Sequence, residues 1–447
     1  MVRYDQPAGR LARTLLEPTT DLPTDFVDEQ ERRREAGLNA QLYDVTAWAL
    51  PLMSNVRAVQ CRRAPGTAGT IVNADGTPQA DLPDMDASWG YAIPWDDAGQ
   101  AHLVAALARD GVSMRTTSLP FRIGNETYPT GSVVVPRRDN GAELDFLITR
   151  HARESGAEVH AMDTSWVDEG PNPGSSNFSP VIAPRIALLW GQGTGATETG
   201  ATRYVLERRY NLPVTIIRPS TIGRADLDRF DVIIMPDQGF PGYTSMLSGA
   251  RSALQRYVSQ GGVLVGLGTA TRWLSDSDNG FLPMQRERAV GTPRDSEASS
   301  SGVSDGSILN SQAERLIAEA VHGAMPDSSP GALVSITANT DSWMSAGYED
   351  GAYALVTGSD IYAPVALDDA TTAMRFGTPE ELLQGGYLWA EYAEQLALKP
   401  FVVTRRMGRG HVIAFTQSPT TRAYLDGLDL LLLNAVLLGP ANSNRLR

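Results

Sequence analysis

Arg185-Ile-Ala-Leu-Leu189, Gly191-Gln-Gly-Thr-Gly195, Val214-Thr-Ile-Ile217, Asp231-Val-Ile-Ile-Met235 and Val263-Leu-Val-Gly-Leu267 decide the fold of this chain. Between these runs lie stretches with helical spacing, about Glu198 to Tyr210 and about Ser248 to Gln260. Short β-branched strands without a polar face are covered on both sides, and their alternation with helices calls for a parallel sheet in an α/β fold. Right-handed crossovers then place the loops after the strands along one edge, where doubly wound sheets bind ligands.

Outward from this core, 447 residues with 42% apolar side chains suffice for two or three domains. Residues 1–62 read as a helical segment. Phe26 to Leu42 carries opposite charges at neighbouring turns, and Tyr43-Asp-Val-Thr-Ala-Trp-Ala-Leu-Pro-Leu52 is an apolar anchor that must dock on something. Residues 63–86 are a Gly-, Pro- and Asp-rich linker or turn that opens a small α/β module over 63–170. The module has strands at Trp89–Ile93, Ser113–Thr117, Gly131–Val135 and Glu158–Met162. It adds a hairpin at Phe121–Tyr128 and helices at Ala98–Asp110 and Leu144–Ser155. Asp168 to Ser179 connects it to the main domain, 180–447. There, residues 275–307 form a long loop and Asn310–His322 a helix. Strands follow at Ala332–Ile336, Ala352–Leu355, Phe401–Thr404 and His411–Phe415, and an apolar helix, Gly427–Leu438, lies buried against the sheet.

Composition narrows the function. A net charge of -14 and a pI near 4.9 argue against a nucleic-acid partner, which needs clustered Lys and Arg. Cys61 is the sole cysteine, so neither an internal disulfide nor a cysteine zinc cluster can form. No apolar run approaches the roughly 18 residues of a membrane span. The opening Met1-Val-Arg-Tyr-Asp-Gln-Pro7 lacks a signal-peptide pattern and reads as the interior of a folded unit.

Three motifs invite a chemical reading. His151-Ala-Arg-Glu154 has the spacing of a zinc-ligand pair, but it lies within an amphipathic helix and lacks a third ligand, so two solvent-facing side chains are expected and no metal site is assigned. Gly191-Gln-Gly-Thr-Gly-Ala196 matches the dinucleotide turn G-x-G-x-x-A. No acidic residue closes the next strand at Ile217-Arg-Pro-Ser220, so the glycines are read as easing a strand into a helix, and no cofactor is assigned. After Leu267, where an elbow would carry a nucleophile, stands Gly268-Thr-Ala-Thr-Arg-Trp273. Thr269 takes the nucleophile's place without a strong base, so no catalytic residue is assigned. Gln192, Thr194, Asp237, Gln238, Thr269, Arg272 and Trp273 should converge on one crevice, where they either hold a small polar ligand or cap helices and seal the sheet edge.

Several stretches carry a family resemblance: Tyr43 to Leu52, Gly131-Ser-Val-Val-Val-Pro136, Pro184-Arg-Ile-Ala-Leu-Leu189 and Thr202-Arg-Tyr-Val-Leu-Glu207. Gly261-Gly-Val-Leu-Val265 with Arg272-Trp-Leu274, and Gly408-Arg-Gly-His-Val412 with Leu432-Leu-Asn-Ala435, extend it. The chain resembles the C-terminal half of large bacterial zinc-carboxypeptidase-like proteins, in which a class I glutamine amidotransferase-like domain follows the peptidase domain. The resemblance implies a flavodoxin-like sheet, with residues 1–62 as the end of a peptidase domain and its exit helices. It implies proteolysis for the parent, whose members are often exported, while none of the family's zinc ligands or its general-base Glu maps onto this chain. The expected role is a non-catalytic accessory region that scaffolds a peptidase domain or binds a small polar ligand. The N-terminal segment would contact that domain or a second copy. A divergent amidotransferase-like hydrolase and a nucleotide-binding module are the alternatives.

Overall fold

The computed structural model describes residues 2–18, 22–36, 38–42, 49–61, 63, 80, 82–83, 85–290, 303–304, 306, 308 and 326–444. Most of the anchor at Tyr43 to Leu52, most of the linker at 63–86 and the expected helix Asn310–His322 lie outside them. Helices α1 (Gly9–Leu16), α2 (Thr24–Glu35) and α3 (Leu50–Met53) open the chain. Arg34 of α2 pairs with Glu391 at 3.0 Å and lies over the Trp389 ring, while Leu52 and Met53 enter the main core. The segment is therefore docked on the body by both charge and apolar contact.

Strands β1 (Gly90–Ile93), β2 (Met114–Thr117), β3 (Phe121–Ile123), β4 (Glu126–Tyr128), β5 (Val133–Pro136), β6 (His160–Met162) and β7 (Phe178–Val181) build the smaller sheet and its hairpin. The sheet order is β6-β1-β5-β2-β7, antiparallel throughout, with β3 and β4 paired on their own. Helices α4 (Ala98–Arg109) and α5 (Leu144–Ser155) supply Leu103, Val104, Leu107 and Ile148 to its core. Asp97 caps α4 by accepting from the Gln100 N–H at 3.1 Å, satisfying a donor that the helix itself cannot.

The larger sheet begins with β8 (Ile186–Leu189), β9 (Val214–Ile217), β10 (Val232–Met235) and β11 (Val263–Leu267). Helices α6 (Ala196–Tyr204), α7 (Tyr243–Met246), α8 (Arg251–Ser259) and α9 (Thr271–Leu274) intervene or follow. A short pair, β12 (Arg286–Glu287) with β13 (Val303–Ser304), precedes β14 (Ser329–Ala338), β15 (Ala352–Gly358), β16 (Thr371–Phe376), β17 (Leu383–Gly386), β18 (Pro400–Met407) and β19 (Gly410–Phe415). The order is β15-β14-β16-β18-β19-β11-β10-β8-β9, with β17 also on β14. The five strands β9-β8-β10-β11-β19 are parallel and run 2-1-3-4-5 in chain order, the flavodoxin-like arrangement, as expected. The sheet does not stop there. At β18 it reverses and continues antiparallel through β16, β14 and β15, because a tight turn at Gly408-Arg409 folds β18 back against β19. The parallel core is thus extended into a mixed sheet.

The closing helix, α11 (Asp429–Leu433, after α10 at Ala390–Leu396), continues as a wider π turn over Asn434–Leu438. Its leucines are buried all round because it lies between the two sheets, and one apolar cluster runs from Leu103 through Leu431 to Val265. No helix among the described residues is long and apolar enough to cross a membrane. Asn434 ties this layer together. Its Oδ1 accepts from Trp95 Nε1 at 2.7 Å, and its Nδ2 donates to the carbonyls of Met344 (3.0 Å) and Ala346 (2.9 Å). Since Asn434 and Trp95 are fully buried, Asn434→Ala strands buried polar groups on both sides of the junction. Urea unfolding is expected to show a loss of about 2–4 kcal/mol, whereas Asn442→Ala, near the surface, changes stability by less than about 1 kcal/mol.

Candidate functional site

The topological switch of the parallel strands lies between β8 and β10, so the loops after them frame the crevice where ligands of such sheets bind. Here those loops are fastened to each other. Thr194 bridges to Gln238, the Gly195 N–H donates to the Asp237 carbonyl at 2.7 Å, and the Gly239 N–H donates to the Gly193 carbonyl at 3.1 Å. Thr194 also closes its own turn. Its hydroxyl donates to the Gly191 carbonyl at 2.9 Å and accepts from the Gly191 N–H at 3.1 Å. The N–H groups of Gly191, Thr194 and Gly195 are thereby spent on protein acceptors, whereas a dinucleotide turn would hold such groups open for phosphate. Gln192 stands exposed at the tip of the turn.

The elbow after β11 is built differently from its sequence reading. The residue in the left-handed conformation is Gly268 (φ +54°), not Thr269, so Gly268 holds the position that an elbow nucleophile would occupy. A Cβ there would lie 2.3 Å from Asp237 Oδ1 and 2.7 Å from Oδ2. The carboxylate fills the volume of the missing side chain. It accepts from the Thr269 N–H at 2.8 Å and the Thr269 hydroxyl at 2.9 Å, both on Oδ1. In turn the Thr269 hydroxyl accepts from the Gln238 N–H at 3.0 Å. Gln238 completes the clasp, with Nε2 donating to the Thr269 carbonyl at 2.8 Å and Oε1 accepting from the Tyr243 N–H at 3.1 Å. Thr269 is a rivet between two loops. Burial pushes the Asp237 carboxyl up to about 6, against the Thr269 hydrogen bonds, and the nearby Glu198 and Asp360 push the same way.

Arg272, one turn further on, donates through Nε to Asp360 Oδ2 at 2.7 Å, and Asp360 is buried. A small ladder places Asp360: the Glu287 N–H donates to the Ile361 carbonyl at 2.7 Å and the Ala363 N–H to the Gln285 carbonyl at 2.9 Å. Glu287 is itself anchored by the fully buried Lys399 at 2.6 Å. Arg272 is exposed, and its terminal nitrogens and Asp237 Oδ2 make no hydrogen bond to a described residue. Those are the groups that a small polar ligand would meet. Trp273 does not join them. It is buried against Phe281, ring centroids 5.2 Å apart, because the helical turn of α9 directs it into the core while Arg272 faces out.

The structure therefore brings together Thr194, Asp237, Gln238 and Thr269, places Arg272 within electrostatic reach of Asp237, leaves Gln192 at the rim and removes Trp273. Sequence reasoning missed Glu198, Asp360 and Arg286, the last paired with Asp360 at 3.4 Å. Glu198 carried one usable signal, an acid in the first turn of a helix that follows a strand. Asp360 carried none. His151 also departs from expectation: it is buried, with Nε2 at 2.7 Å from Asp110 and Nδ1 at 3.1 Å from Glu154. The pair thus locks α5 to the end of α4. His160 is held by Tyr128 and Glu158 instead. Among the described residues no group of His, Cys, Asp and Glu side chains is gathered closely enough to hold a metal ion.

No protein-family model matches the chain, and no curated protein matches it. Solved structures with a similar path include a ThuA-like protein from Bacteroides uniformis (16% identity, 56% of this chain and 89% of that one, TM-score 0.36). Another is a ThuA-like protein from Parabacteroides merdae (12%, 59% and 92%, TM-score 0.37). A third is a glutamine amidotransferase from Thermotoga maritima (9%, 56% and 97%, TM-score 0.34). Likenesses this distant carry no inference about chemistry, and none of the three is a zinc carboxypeptidase.

The raised carboxyl of Asp237 makes a signed prediction. With a folded value near 6 and an ordinary value of 3.8, the native state binds the extra proton between them, so stability falls as pH rises through that window. Asp237→Asn keeps an acceptor for Thr269 but never ionises. Thermal melts should show the variant more stable than the wild type above about pH 6 and no more stable near pH 4.

Proposed function

We propose that the chain is a non-hydrolytic accessory module of a zinc-carboxypeptidase-like protein, with an amidotransferase-like sheet that acts as a scaffold or holds a small polar ligand. The observation that carries this reading is the Asp237 carboxylate standing 2.3 Å from where an elbow side chain at Gly268 would begin. An acyl-transfer elbow needs an open nucleophile beside a base; this one presents a glycine covered by an acid. The peptidase connection draws on the stretches quoted from the sequence, among them Pro184 to Leu189 and Leu432 to Ala435. The ligand role draws on Arg272, whose guanidinium is oriented by Asp360 and open at its outer end.

One observation favours the competing hydrolase reading: the Thr269 hydroxyl donates to a carboxylate at 2.9 Å. Activity of the purified chain on ester, amide and peptide substrates separates the two. Background rates unchanged by Thr269→Ala and by Asp237→Ala are expected. Turnover that Thr269→Ala abolishes would install the hydrolase instead, and stoichiometric zinc with release of C-terminal residues would displace both.

The N-terminal segment is proposed to meet a peptidase domain or a second copy. Leu50, Val56 and Val59 are 42%, 59% and 74% exposed on one short stretch. Light scattering of the chain alone should detect self-association that Leu50→Glu with Val56→Glu reverses; a monodisperse monomer counts against this partner.

A further inference from the structure

Three polar groups at the Asp237 crevice end without a hydrogen-bond partner among the described residues. Asp237 spends Oδ1 on Thr269 and leaves Oδ2 unengaged. Arg272 gives Nε to Asp360 at 2.7 Å and leaves its terminal nitrogens unengaged. The third group is the Tyr362 hydroxyl, on a side chain only 1% exposed. Its ring packs in the same apolar cluster as Trp273 and Met284. Burial raises the hydroxyl well above its ordinary range, and Asp360, Arg272, Arg286 and Asp237 are all near enough to act on it, so its oxygen lies on the crevice side. A buried phenol without a partner costs stability, and a bound acceptor removes that cost.

The charges favour an anion at Arg272. Asp360 is matched by two guanidinium groups, Arg272 at 2.7 Å and Arg286 at 3.4 Å, so the outer edge of Arg272 keeps its charge for another partner. That edge presents parallel N–H donors with the spacing of a carboxylate. The Tyr362 hydroxyl, held neutral, adds a further donor. An ionised Asp237 would repel the anion, but this carboxyl is already held toward its neutral form. Burial raises it against the two Thr269 hydrogen bonds, and Glu198 and Asp360 add to the rise. Arg272, Tyr243 and Tyr362 are the other titratable groups within reach of it. As a neutral acid, Asp237 turns Oδ2 into an O–H donor.

We infer that the crevice takes a small organic monocarboxylate, held by Arg272, by the Tyr362 hydroxyl and by Asp237 acting as a neutral acid. This rests on the small-ligand reading of the crevice and adds the ligand's chemistry. Binding is then linked to a proton. An anion beside Asp237 raises that carboxyl further, so the complex keeps a proton that the free protein loses as pH passes about 6, and affinity falls from there upward. An amine, or a zwitterion with its ammonium on Asp237, gives the opposite sign and tightens as pH rises. Inorganic phosphate brings a second negative charge against Asp237 and Glu198 and is disfavoured.

Ligand-observed NMR titrations of the whole chain with lactate, methylammonium, glycine and inorganic phosphate test this, at about pH 5.5 and about pH 7.5 with ionic strength held fixed. Lactate should bind at least about tenfold more tightly at the lower pH. Asp237→Asn keeps an acceptor for Thr269 and offers an N–H in place of the acid proton. It should bind lactate at both pH values as the wild type does at the lower one. Arg272→Gln should weaken lactate by at least about tenfold. Tyr362→Phe should weaken it severalfold, keep the pH dependence and melt no lower than the wild type, since it deletes a hydroxyl that has no partner. Absence of lactate binding at both pH values overturns the inference, as does equal binding by Arg272→Gln. Tighter lactate binding at the higher pH, a pH dependence that persists in Asp237→Asn, or a preference for methylammonium, glycine or phosphate also overturns it. All these outcomes leave the non-hydrolytic reading standing, which falls instead on turnover of ester, amide or peptide substrates.

Discussion

A carboxylate pressed against a glycine sets the character of the strand-end crevice. Asp237 occupies the space beside Gly268 that any side chain would claim, and it captures both donors of Thr269. Two loops that in an open crevice would part to admit a ligand are thereby clasped, first through Thr269 and Gln238, then through Thr194 and Gly195. The clasp has an energetic signature: an acid kept half out of water and above its ordinary range, held because its hydrogen bonds exist only in this geometry. A side chain at position 268 could not be accommodated without expelling that acid. The volume beside the turn after β11 is filled by that carboxylate.

What reaches solvent at that edge is Arg272, and its orientation is inherited from far away in the chain. Asp360 fixes the guanidinium, the ladder between residues 285–287 and 361–363 fixes Asp360, and the buried Lys399–Glu287 pair fixes the ladder. Such a pair is costly to desolvate and adds little net stability, but it forbids alternatives because neither charge tolerates losing the other. Specification of one geometry is the reasonable return for that cost.

The two sheets are joined by the closing helix, which explains an otherwise odd sequence. A helix apolar on every side needs apolar partners on every side, and it finds them between α4 and the parallel strands. Its one polar core residue, Asn434, spends both ends of its amide on the junction.

Local pattern was enough for the strands of the parallel core and their order of appearance, whereas β7, which begins inside the segment read as a connection, and β16 and β17 went unread. β-branched runs, glycine-rich turns and helical spacing act over a few residues, so β8 to β11, the β3–β4 hairpin and the buried closing helix were all legible. The short turn at Gly408-Arg-Gly410 also marked β18 and β19 as neighbours, but the antiparallel continuation through β16, β14 and β15 was not legible, because parallel and antiparallel central strands bury the same side chains and differ only in their partners. The candidate site divides along the same line. Asp237, Gln238 and Thr269 follow strand ends and could be found from them. Whether Trp273 or Arg272 faces the crevice depends on the phase of a single helical turn, and His151 is buried only because Asp110, on another helix, reaches it. The pairing of Arg272 with Asp360, and the filling of the Gly268 volume by Asp237, join residues from separate segments. The sequence by itself determined the alternation of elements and the edge where a site would lie; only tertiary packing decided that the Asp237 carboxylate meets Gly268 at that edge, because the relevant distance is set by how two loops close on one another.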